Sequence, residues 1–525
     1  MKRRYFLNCV QVPLLGSAAA AQVPGQGSGK AEFNVLEYGA ATDGKTLSTK
    51  ALQAAIDACH AAGGGRVVVR RGTFLTGTIR LKSHVRLRIE AGARLVGSPN
   101  SADYPKDAGV CDWHPRFTWG HELTGTLIYA EQAENIAIEG QGTIDGAQRS
   151  GRAPTFPNPG DPERRRPMLV RLRDCVNVRI TDITLTNPAS FTTFFVGCRD
   201  LLIDAVRVRS RETGNGDGLD FDGCERVRIS NCDLVTGDDA IGLKTFQPNR
   251  PNRDFVITNC VISSSWAAVR LGPESFADMR NIAVSNCVFR DCRDGFKIQS
   301  CEGAVIERMV FSNIVMEDVL RPFFVTLNAF SMSKHAPPGR PAVGKLRDLH
   351  VSNIRAVVPH NPTGKGFDQP CVAFVGLPGH PIEDVSLSDF NLTMPGGGTR
   401  EQAGRMNIPE LLDEEKLYPE AIHFEGELPA SGIYLRHVRG LRMSQCRIAT
   451  TNPDARAFLA GDDLEDVALV AVTGVGSESA PGLTKFANAR EVSLANCRVK
   501  AATDRPLEVK LTAEEEARLA SVRRK

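Results

Sequence analysis

The chain has 525 residues and balances 64 lysines and arginines against 61 aspartates and glutamates, a formal net charge of +3. That balance offers no basic surface for nucleic acid, and no stretch after the N-terminal segment is apolar over enough residues to span a membrane, so neither is expected as a partner. With 48 glycines the composition suits turn-rich β architecture.

The N-terminus reads as an address. Lys2-Arg3-Arg4-Tyr5-Phe6-Leu7 is followed by a modest apolar run and then by Ala18 to Ala21, a pattern of twin-arginine export with a small-residue cleavage site. Residues 1–21 are therefore expected to be a signal peptide, 22–31 a linker, 32–502 the catalytic domain and 503–525 a charged helical tail. The expected location is periplasmic or extracellular, and the expected state is a monomer. Between Ser48 and Ala62 the stripe Leu52, Ala55, Ile56 and Cys59 has helical spacing and stops at Gly63-Gly64-Gly65. A helix there would cover the open edge of the first strand layer. Residues 98–125 hold Tyr104, Trp113, His114, Trp119 and His121 among turn residues, either to stack on sugar rings or to pack the loop down. The run Glu163-Arg164-Arg165-Arg166 reads as solvated.

From residue 135 onward a short motif recurs. Asn177-Val178-Arg179-Ile180, Arg226-Val227-Arg228-Ile229, Asp254-Phe255-Val256-Ile257, Asn281-Ile282-Ala283-Val284 and Glu491-Val492-Ser493-Leu494 all alternate apolar with polar residues. Val227, Phe255 and Ile282 are 28 and 27 residues apart. Strand-turn units of this period bury their apolar faces only by stacking, which predicts an all-β chain folded as a right-handed parallel β-helix. Cys175, Cys198 and Cys224, and again Cys232, Cys260 and Cys287, fall at equivalent points of successive units. An inward ladder of small thiols is expected, with disulfides as the alternative. Thr512 with Glu515 makes a capping-box pattern ahead of Ala513 to Val522.

Two acidic clusters stand out of this repeat. Asn215-Gly216-Asp217-Gly218-Leu219-Asp220 is followed, 21 and 22 residues after Asp217, by Asp238 and Asp239. Successive coils would gather these carboxylates, and like charges at short range raise one another's pKa until one keeps a proton near neutrality. Turn aspartates of Gly-Asp runs are the alternative. Regular alternation would send Asp238 and Asp239 to opposite faces, so Gly237-Asp238-Asp239 is expected in a turn entering the next strand, with both acids facing out.

With these motifs in place the chain resembles glycoside hydrolase family 28, the polygalacturonase-like enzymes, from about residue 33 to 475. The resemblance rests on Phe33-Asn34-Val35, Gly140-Gln141-Gly142-Thr143-Ile144-Asp145-Gly146 and, above all, the two acidic motifs; Tyr418-Pro419-Glu420 and Leu428-Pro429-Ala430-Ser431-Gly432 are similar to a bacterial subgroup. It implies inverting hydrolysis of a pectin-type polysaccharide, with Asp238 as general acid and Asp217 and Asp239 activating water. Asp220, Lys244, Arg270, Lys297 and Gln299 are the candidate substrate-binding residues. No metal and no cofactor is assigned, since the histidines lack ligand spacing. The chain departs from the family pattern where Trp266-Ala267-Ala268 replaces Gly-His-Gly and Lys297-Ile298-Gln299 replaces Arg-Ile-Lys, while Phe191 and Phe194 stand for an aromatic and a histidine. Ala267 and Gln299 weaken the basic grip on a uronate, so plain polygalacturonate is expected to be a poor substrate. A polysaccharide lyase on the same fold and a non-catalytic carbohydrate-binding β-helix are the alternatives.

Overall fold

Strands that alternate outward polar with inward apolar residues leave one face in need of cover, and in this protein each coil covers the next. The computed structural model describes residues 32–105, 125–147, 166–330, 342–360, 369–411, 420–476, 482–501 and 506–507. The export signal, the linker, Trp113, His114, Trp119, His121, the run from Glu163 to Arg165 and the helix expected at Ala513 to Val522 lie outside them.

Parallel pairing joins the strands into one right-handed parallel β-helix. A single inward row can be followed from Val178 through Leu201, Val227, Phe255, Ile282, Met309, Leu349, Val385, Leu441 and Val467 to Val492. All of these except Val492 are buried, so the core is a continuous column along the axis. Flanking residues turn corners in the left-handed region: Asn177, Asp200, Asp254, Asn281 and Asp348 precede this row, while Asn231, Asn259, Asn286, Asn313 and Asn353 follow it. Asn and Asp enter that region at little cost, and the asparagine amides pair between coils. Asn313 donates to Asn286 at 3.1 Å and Asn353 donates to Asn313 at 2.8 Å.

The cysteine rows are as the spacing predicts. Cys175, Cys198, Cys224, Cys232, Cys260 and Cys287 are buried and unpaired, and no disulfide occurs among the described residues. Hydrogen bonding to Cys232 and burial push the Cys260 thiol up to about 12, so that thiol is inert at neutral pH. At the N-terminal end the helix Thr49–Ala61 buries Leu52, Ala55, Ile56 and Cys59, the stripe read from the sequence. Tyr104 is 3% exposed and its hydroxyl donates to the Ser98 carbonyl at 2.9 Å, so this ring packs its loop onto the scaffold.

Candidate active site

The strands Leu219–Asp222 and Ile241–Thr245 pair in register, Leu219 with Ile241 and Phe221 with Leu243. These four apolar side chains point into the core, which turns Asp220, Asp222 and Lys244 to the opposite face. Asp217 precedes the first strand. Asp238 and Asp239 lie between the strand Asp233–Thr236 and Ile241–Thr245, in the turn expected from the sequence. The turn is tied down on both sides: Thr236 and Ser264 hydroxyls donate to the Asp238 carbonyl at 2.7 Å each, and Gly218 N–H donates to the Asp239 carbonyl at 2.9 Å. A Cβ on Gly242 would run into the Asp220 carboxylate, so glycine there lets the two coils approach.

One oxygen from each of Asp217, Asp238 and Asp239 lies within 4.8 Å of the others. The acids are more deeply set than outward-facing turn residues would be: Asp217, Asp220 and Asp239 are 3%, 0% and 2% exposed, and only Asp238 is partly open. Lys244 reaches into their midst. Its Nζ is 3.7 Å from Asp217 and from Asp220, and 3.8 Å from Asp239 and from Glu274. Phe191 lies below it, with Nζ 5.8 Å from the ring centroid. Arg270, 1% exposed, is 3.2 Å from Asp239 Oδ2 and donates to Gln299 Oε1 at 3.1 Å.

Five carboxylates around two cations cannot all be ionised in a buried site. Burial, then Asp220 and Asp238, holds Asp217 well above the usual carboxylate range; burial, then Asp239 and Asp238, does the same to Asp220. Burial and the adjacent Asp239 push Asp238 up to about 6. Burial alone would lower Lys244, but Glu274, Asp220, Asp217 and Asp239 outweigh it and keep the ammonium charged. Asp217 Oδ1 and both Asp220 carboxylate oxygens accept no hydrogen bond within the described protein, so they remain available to water or to a hydroxyl group.

One coil further along, the register places Lys297 beside Arg270 and Phe324 beside Lys297. Lys297 and Gln299 are both fully buried. Gln299 donates to the Thr326 hydroxyl at 3.1 Å, and Lys297 is ion-paired to Glu420. Of the candidate binding residues, the structure thus makes Lys244 a counter-ion of the acids and Lys297 the partner of a distant glutamate. Glu274 and Glu420 carry no local signal of this role. Glu420 is 123 residues from Lys297 in sequence, and only coil stacking joins them.

Three carboxylates from two successive coils thus converge on one face of a parallel β-helix. The family model of glycosyl hydrolases family 28 matches residues 66–410. The chain belongs to that family and is by that membership a glycosidase. It is 27% identical over 372 residues to an exo-poly-alpha-D-galacturonosidase of Dickeya chrysanthemi, covering 61% of this chain and 61% of that protein's length. A probable polygalacturonase of Vitis vinifera is 24% identical over 381 residues, covering 68% of this chain and 74% of its own. In structure the fold is similar to an exopolygalacturonase from Thermotoga maritima (TM-score 0.57, 22% identity, 71% of this chain and 88% of that one). A family 28 exopolygalacturonase of Yersinia enterocolitica superposes with a TM-score of 0.52 at 19% identity, over 91% of this chain and 79% of that one.

Proposed function

We propose that the protein hydrolyses glycosidic bonds in pectin-type polysaccharide by general acid and base catalysis, with inversion at the anomeric carbon. The convergence of Asp217, Asp238 and Asp239 within 4.8 Å carries the hydrolytic reading, and inversion is what the family resemblance implies. Asp238 is the partly open acid and titrates near 6, so it keeps enough proton to give to the leaving glycosidic oxygen. Water held between Asp217 and Asp239 attacks from the other side. Arg270 lies 3.2 Å from Asp239 Oδ2, and a proton retained on Asp220 leaves Asp217 free to accept one from the water. Lys244 balances the charge before and after the transfer. Export by the N-terminal signal would bring the enzyme to its polymer.

The test is reducing-sugar release from a panel of pectic fragments, with the anomer of the fresh product read by NMR. The opposite anomer from the substrate linkage is expected. Inverting carboxyl groups usually stand about 6.5–9.5 Å apart, a wider gap than the one between nearest oxygens here, so retention of configuration is the outcome that would remove the water-activation roles.

The same three acids are spaced to hold a divalent cation, which favours one other reading, a lyase that draws a proton from a uronate. Lys244 already supplies the positive charge among them, so chelator is expected to leave activity unchanged and products saturated. A calcium-dependent, ultraviolet-absorbing product would establish the lyase instead.

A further inference from the structure

The cations two and three coils beyond Asp238 and Asp239 already hold a carboxylate. Glu420 lies against the Lys297 ammonium, with Arg293 at 3.1 Å and Arg321 at 3.6 Å from its Oε2. Arg321 is also clamped by Asp294, at 2.5 and 2.8 Å. Trp266 and Phe324 wall the same pocket: the Arg293 guanidinium lies 3.8 Å from the Trp266 ring centroid, and Lys297 lies 5.9 Å from that of Phe324. Burial would raise Glu420, yet Lys297, Arg321 and Arg293 bring it down to about 2, so it is a carboxylate at every working pH.

The position of this pocket makes it more than a structural ion cluster. Asp220, Gly242, Arg270, Lys297 and Phe324 form one row along the helix axis, each paired in register with the next. Coils stack about 4.8 Å apart, close to the length of one sugar ring. The Lys297 coil is the second one beyond the turn that carries Asp238, so a sugar chain whose scissile bond lies at Asp238 and which runs along this row sets its second ring against it. A uronate at that ring would bring a second carboxylate to cations that Glu420 and Asp294 already neutralise. A carboxylate without a fresh cation loses its hydration and gains little in return.

We propose that Glu420 is a specificity-determining residue: it fills the Arg293–Lys297–Arg321 pocket with a carboxylate of the chain itself, so that the adjoining subsite takes a neutral or esterified sugar in preference to a free uronate. The proposal rests on the glycosidase reading above, for which it names the substrate class. Glu420→Gln removes the built-in charge and leaves the shape, opening the pocket to an external carboxylate.

The experiment measures kcat/KM for wild type and Glu420→Gln on de-esterified and on methyl-esterified oligogalacturonides of equal length. It is paired with Kd values for galacturonate and for its methyl ester by calorimetry. The wild type is expected to favour the ester, and Glu420→Gln to move the acid-to-ester ratio at least tenfold toward the acid, mainly through KM and Kd. A purely structural ion pair would lower stability and activity on both substrates and leave the ratio unchanged, which overturns the proposal. If the variant does not fold, the wild type decides: a tenfold tighter Kd for galacturonate than for its ester refutes the assignment, and an equal or weaker one supports it. Absence of hydrolysis of any fragment by the wild type would remove the glycosidase reading, while the binding ratio would still judge Glu420.

Discussion

The roles proposed for single residues of the acid patch are separable by substitution. Asp238→Asn is expected to lose at least about a hundredfold in kcat, the usual scale of a general acid, with little change in melting temperature because the side chain is partly open. Asp217→Asn and Asp239→Asn should lose activity on the same scale. Asp239→Asn should also melt earlier, since Asp239 is buried against Arg270 and its loss leaves that guanidinium with one partner fewer. Lys244 lowers the pKa of Asp238, so Lys244→Met should raise it. The general acid is active while protonated, and activity falls as pH rises through about 6. In Lys244→Met the alkaline limb of the kcat/KM profile should therefore move to higher pH. An unmoved limb would place the controlling proton elsewhere.

At the level of elements, the capping helix and the corner ladder carry different loads. Leu52 and Ile56 of the helix Thr49–Ala61 are fully buried over the first coil. Ile56→Ala should cost about 2–5 kcal/mol and, by loosening the cap, expose an edge able to pair with other chains. Lower thermal stability with concentration-dependent association in sedimentation would show both effects. Asn313 stands at a corner with φ of 57° and links Asn286 to Asn353. Asn313→Val puts a β-branched side chain in the left-handed region and removes two amide links, a cost of about 1–2 kcal/mol from backbone strain alone. Faster amide exchange confined to the coils around Asn313 is expected, because each coil touches only its neighbours.

For the whole molecule, the buried acids set how stability follows pH. Asp217 and Asp220 are held well above their ordinary range, Asp222 is pushed up to about 7 by burial, and Asp238 to about 6. Groups whose folded pKa is raised contribute stability that is complete below the unfolded value near 4 and is lost as pH rises through the folded value. Glu420 works in the other direction: its contribution is present above its unfolded value and lost as pH falls toward about 2. Melting temperature should therefore be highest at mildly acidic pH and decline between about pH 5 and 8. Asp222→Asn should flatten part of that decline in calorimetric scans.

What the amino-acid sequence determined by itself was everything governed by a short period. Alternation along Val227–Ile229 or Ile282–Val284 repeats once per coil, so strands, corner asparagines, thiol rows and the neighbourhood of Asp217, Asp238 and Asp239 were all legible from spacing. The turn at Gly237 was legible too, because only a break in alternation brings two adjacent acids to one patch. Burial was decided by the tertiary structure. Asp217, Asp239, Lys244 and Lys297 read as outward and available, yet all four are buried, and Glu420 pairs with Lys297. Pairing of Lys297 with Glu420 spans 123 residues and depends on how later coils lie against earlier ones. No local pattern encodes such a contact, since the charge that satisfies a buried cation is chosen by distance in space and not by separation along the chain.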